Sequence, residues 1–147
     1  MPTTEGIGGS LAVSAASPAS YDNTGYTALT WTDVAEVTEI PEFGADHEVV
    51  THTPLATGIV NKYHGALNYG SLSVPMAYSD GDPGQAILIA AITSKDEISF
   101  RETRSDGSIR YFAGKCMSYK TAQSVGSVVP ATSQIEITRA VVPVDAP

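Results

Sequence analysis

Residues 71–85 read SLSVPMAYSDGDPGQ and carry two different periodicities in one short stretch. The first half belongs to an alternating run from Leu67 to Tyr78, in which Leu72, Val74, Met76 and Tyr78 point one way, and Ser71, Ser73, Pro75 and Ala77 the other. Period-two alternation marks a strand with one buried face. Pro75 has no N–H to give to a ladder, which predicts an edge position or a bulge. The second half opens a helix. Asp82 is a preferred N-cap, Pro83 suits the first helical position, and Gln85 at the third completes a capping box. The helix runs on through AILIAAIT and stops near Ser94. It is apolar over much of its circumference, as suits a helix laid over a β-sheet.

On the N-terminal side, Leu11 and Val13 alternate with small residues as a short strand, and residues 16–27 are turn formers that predict a loop. From Trp31 to Phe43 the β-branched residues Thr32, Val34, Val37, Thr38 and Ile40, with Pro41 against a helix, predict a bulged strand. Asp46 to Thr53 follows as a second strand, able to pair with the first as a hairpin. Residues 54–66, PLATGIVNKYHGA, lack periodicity and predict a long loop. Leu55, Ile59, Val60 and Tyr63 are apolar for a loop, which points to packing on the domain or on another subunit.

On the C-terminal side, Ile98 and Phe100 alternate with polar residues, and Asp106-Gly107 is a type I′ turn pair. Ile109 to Tyr119 is the return strand. A loop at 121–132 leads to a last strand, Gln134 to Val142, with Ile135 and Ile137 inward. The pattern predicts one domain over 1–147: an all-β sandwich or small barrel of about seven strands with one flanking α-helix. A flexible arm at 1–9 and an extended tail at 143–147 complete it.

Charge is divided along the chain. All eight Lys and Arg residues lie at or after Lys62, while eight of the 16 carboxylates precede it, so the formal charge of -8 belongs to the first segment. Such a surface repels polyanions and excludes a nucleic-acid grip. Charged residues make up only 16%, below the usual quarter, and Ser, Thr, Gly and Ala fill the gap. A polar, weakly charged surface suits a protein covered by neighbours.

Residue chemistry gives little sign of catalysis. His47 and His52 lie five apart on a strand and so point to opposite faces, and His64 falls in the loop. The lone Cys116 allows no internal disulfide and has Tyr111 and Met117 nearby, which reads as packing. Asp80 and Asp82 flank Gly81 like a fragment of a calcium loop, but no ligand Glu follows where one is needed. No catalytic, cofactor-binding or metal-binding residue is assigned. The N-terminal residues lack the basic and apolar regions of a secretory signal, and the longest apolar run, Ala86 to Ile92, is too short to cross a bilayer.

Residues 49–85, VVTHTPLATGIVNKYHGALNYGSLSVPMAYSDGDPGQ, bring these features together in a particular order. A strand ending in a Thr-rich stretch, a long loop, then GALNYGSL, then YSDGDPGQ opening a helix resembles the tail tube proteins of long, non-contractile-tailed bacteriophages. The likeness runs from about Leu29 to Val142. It implies a β-sandwich subunit, not an enzyme and without a cofactor, that closes into sixfold rings stacked as a virion tail tube. It also implies assembly in the host cytoplasm, no membrane, and tail terminator, tape measure and tail tip proteins as partners. Double-stranded DNA would pass through the lumen without specific binding. The loop at 54–66 is then expected between rings. Glu36, Glu39, Asp46 and Glu48, with Glu97, Glu102 and Glu136 behind them, are the lumen candidates; acids facing outward would meet Arg101, Arg104, Arg110 or Arg139 across subunit contacts. A type VI secretion-like tube ring, a capsid-decorating or adhesion module, and a small histidine-metal hydrolase are the competing readings.

Overall fold

The alternation of 71–77 becomes a strand at the edge of a seven-stranded antiparallel sheet. The structure, a computed structural model, describes residues 8–145 except 124 and 127. Its strands are β1 (Ser10–Ser14), β2 (Thr32–Asp33), β3 (Asp46–His52), β4 (Asn61–Asn68), β5 (Ser71–Ala77), β6 (Ile98–Thr103), β7 (Ile109–Thr121), β8 (Pro130–Ile137) and β9 (Val142–Val144). Its helices are α1 (Asn23–Thr27) and α2 (Pro83–Ser94). The main sheet runs β2-β1-β6-β7-β8-β5, with β9 paired to β7, and β3 and β4 form a separate two-stranded sheet. The all-β class with a flanking helix is as the sequence predicts.

Leu72, Val74 and Met76 of β5 meet Ile135 of β8, Phe112 and Cys116 of β7 and Leu88 of α2 in one core. Phe43, Phe112 and Phe100 form its aromatic spine, with ring centroids 4.8 and 5.1 Å apart. Pro75 sits on the edge strand, where its missing N–H costs nothing, and its carbonyl accepts from Thr38. Aromatic residues cover one end of the opposite face of the sheet. There Tyr26 of α1 stacks on Tyr111 at 5.3 Å, Trp31 leans on the same ring, and Arg101 lies over Trp31.

Asp82 caps α2, accepting from the Gln85 N–H at 2.9 Å and also from the Ala35 N–H at 3.2 Å. Gln85 does not return the bond as a capping box would. Its buried amide accepts from the Ser79 N–H and the Tyr119 hydroxyl and donates to the Ala35 and Ala77 carbonyls. That docking explains why the expected strand over 31–43 breaks up. Only Thr32–Asp33 pairs, Glu36 takes a left-handed φ of 60°, and Val37 makes an isolated bridge to Met76. Gly84 lets the helix start lie on this segment, because a Cβ there would run into the Asp33 carbonyl.

Other expectations are corrected. The loop at 16–27 contains α1, capped by Asp22. β3 pairs with β4, not with 31–43, so residues 61–66 are strand rather than loop. At the β6–β7 turn the Gly107 N–H returns to the Arg104 carbonyl, and only Gly107, at φ 92°, is left-handed. That is a turn followed by a glycine bulge instead of a type I′ pair. The last strand ends at Ile137, and the tail pairs through Val142–Val144. Of the expected arm and tail, residues 1–7, 146 and 147 lie outside the described residues.

Candidate assembly interface

The β3–β4 hairpin stands clear of the domain. All seven residues of β3 are exposed, and in β4 only Asn61 and Gly65 are partly covered. A two-stranded sheet alone is marginal in water, and here neither face is covered. Between the strands, residues 53–60 carry Leu55, fully exposed, Ile59 at 66% and Val60 at 50%; Tyr63 just beyond is 56% exposed. None of these four packs on its own domain.

The pairing register separates the hairpin's residues by face. Val50 lies opposite Tyr63, Thr51 opposite Lys62, and Val49 opposite His64. Between His47 and Val49 the register shifts, with β4 holding the extra residue at Gly65–Ala66. β3 therefore alternates without interruption. Asp46, Glu48 and Val50 share one face with Tyr63; His47, Val49 and Thr51 share the other with Lys62, His64 and Leu67. Two contacts agree: the His47 and His64 rings meet edge to face at 4.8 Å, and a Cβ on Gly65 would press on Val50 and Glu48. His47 and His52 do point to opposite faces. Among the described residues no group of three or more His, Cys, Asp or Glu could hold a metal ion.

Where the hairpin leaves the sheet, a cleft of about 470 Å³ is lined by Glu42, Phe43, Asp46, Asn68, Ser71 and Glu136, among others. The remaining acids are placed differently. Glu102 is buried, 5% exposed, with Arg110 at 2.6 Å and Arg104 at 3.5 Å. Glu97 holds Arg139, the Tyr21 hydroxyl and the Thr138 hydroxyl. Arg104, Arg110 and Arg139 are thus engaged within the protomer, and Glu102 offers no carboxylate to a channel. Glu36, Glu39, Asp46 and Glu48 are exposed. Cys116 is buried with its Sγ 3.2 Å from the Ser133 Oγ, and burial pushes its thiol above the usual range. A packing role fits it, since the thiolate is the reactive form.

No protein-family model matches the chain, and no curated protein matches it in sequence. Solved structures do. A chain of the anti-feeding prophage baseplate, solved with sixfold symmetry, superposes with a TM-score of 0.70 at 11% identity, covering 99% of this chain and 97% of that one. The fold is shared with chains of phage tails and tail-like particles. A chain from the C6-symmetric tail of a GTA particle gives 0.68 at 16% identity, covering 95% and 97%. The SPP1 tail tube gives 0.65 at 12%, covering 92% and 76%. Because a sheath–tube complex of an extracellular contractile injection system also matches, the likeness does not single out non-contractile tails.

Proposed function

We propose that the chain is the repeating structural subunit of a tail-type tube, closing into sixfold rings that stack around a channel for DNA. The observation that carries this reading is the hairpin. A monomer gains nothing from a free two-stranded sheet tipped with Leu55, Ile59 and Val60, whereas in an assembly those side chains are covered. Ring closure also supplies partners for edge strands that would otherwise invite uncontrolled pairing. The fold likeness supports a structural role, and no catalytic step or cofactor belongs to it.

Within this reading the hairpin end spans neighbouring rings, as expected for the 54–66 stretch. Asp46 and Glu48, in phase on one face, line the channel and keep phosphates from binding in transit. Tail terminator, tape measure and tip proteins would cap and template the tube, which forms in the host cytoplasm and resides in the virion tail. A tube inside a contractile sheath is the second reading, favoured by the contractile neighbour. Electron microscopy of tails that contain the chain tests both, because a sheath around the tube is visible directly.

A further inference from the structure

We propose that the His47–Lys62–His64 face of the hairpin is a docking surface for a second copy of this chain, seated on that copy's acidic segment at 36–42. The proposal rests on the tube reading and adds which face is covered and by what. The uninterrupted alternation of β3 sorts charge across the hairpin: Asp46 and Glu48 go to one face, and Lys62 with the paired imidazoles of His47 and His64 to the other. Lys62 is the first cation in the sequence. The histidine–lysine face also carries Val49, 67% exposed, and Leu67, 47% exposed, so covering it removes apolar surface from water.

The occupant follows from charge. The first 61 residues hold eight carboxylates and no Lys or Arg, and Glu36, Glu39 and Glu42 are exposed in the stretch that skirts β5. The ion pairs among the described residues use Glu97 and Glu102 and leave these three free of one. Every copy therefore presents one weakly basic apolar face and one acidic segment on separate parts of its surface. A contact between unlike patches is heterologous, and it repeats until it closes as a ring or runs on as a stack. Docked this way, the opposite face, with Asp46 and Glu48, stays in water.

Charge reversal with rescue tests this. Lys62→Glu, Glu48→Lys, and Lys62→Glu combined in turn with Glu36→Lys, Glu39→Lys or Glu42→Lys are purified beside the unaltered chain. Thermal unfolding confirms that each is folded, and assembly is followed by light scattering and microscopy. Lys62→Glu should raise the critical concentration about tenfold or more. At least one combination should restore it, Glu48→Lys should leave it unchanged, and added salt should weaken assembly of the unaltered chain. Normal assembly of Lys62→Glu, failure of all three combinations, or loss of assembly in Glu48→Lys overturns the proposal while the tube reading stands. An unaltered chain that never assembles overturns the tube reading itself.

Discussion

The Tyr119 hydroxyl donates to Gln85 Oε1 at 2.8 Å beneath the start of α2. Gln85 is 2% exposed, and the same amide serves the Ser79 N–H and two backbone carbonyls. One side chain thus joins the helix, the end of β5, the segment at 35 and β7. Gln85→Leu keeps the volume but strands buried backbone groups and should cost about 3 kcal/mol, against about 1 kcal/mol for Tyr119→Phe. Urea denaturation measures both. Equal costs would mean that the amide is not the junction described. Asp82→Ala, which removes the cap, should cost about 1 kcal/mol.

Tyr26 gives a pH test. Burial, with smaller contributions from Tyr21 and Glu97, pushes its phenol from 10.0 up to about 12. The unfolded chain ionises first, so the contribution of the neutral buried phenol is complete below pH 10 and is lost as pH rises towards 12. The Tyr26 hydroxyl has no hydrogen-bond partner among the described residues. Tyr26→Phe should therefore be as stable at neutral pH, or more stable by up to about 1 kcal/mol, and should resist alkaline unfolding better. Melting curves across the alkaline range check this. A variant markedly weaker at neutral pH would show that the hydroxyl is bonded.

These two sites also show what could be read from sequence. Asp82, Pro83 and the alternation of Leu72, Val74 and Met76 are local signals, and each appears where its chemistry demands. Gln85 was legible as part of a cap but not as a junction, because its partners at 35, 77 and 119 are brought near only by the fold. The strand expected over 31–43 failed for the same reason: docking of α2 overrides β propensity there. In the hairpin, the apolar tip was readable, but its second strand was hidden because Asn61–Asn68 alternates without a buried face. The bulge that brings His64 onto the face of His47 depends on pairing register, which a single sequence does not reveal.

The hairpin's role in assembly can be separated from its role in folding. Replacing residues 51–62 with Asn-Gly joins Val50 to Tyr63 through a tight turn at a point where the two already pair. The removed residues are exposed, apart from Pro54 and Asn61, which are partly covered. Stability should change by no more than about 0.5 kcal/mol, while ring stacking is lost. Tubes of normal length from this variant would give the hairpin end another role.

Channel chemistry is tested by Glu48→Lys in intact particles. The substitution should leave the tube standing but slow DNA ejection, and the effect should fade as salt screens the phosphate contact. Unchanged ejection kinetics would place Glu48 away from the lumen.

The most direct test of the central claim is electron microscopy of the purified, concentrated chain. Sixfold rings, alone or stacked into tubes with a central channel, are the predicted result. A chain that stays monomeric at every concentration, and is absent from purified tails, would contradict it.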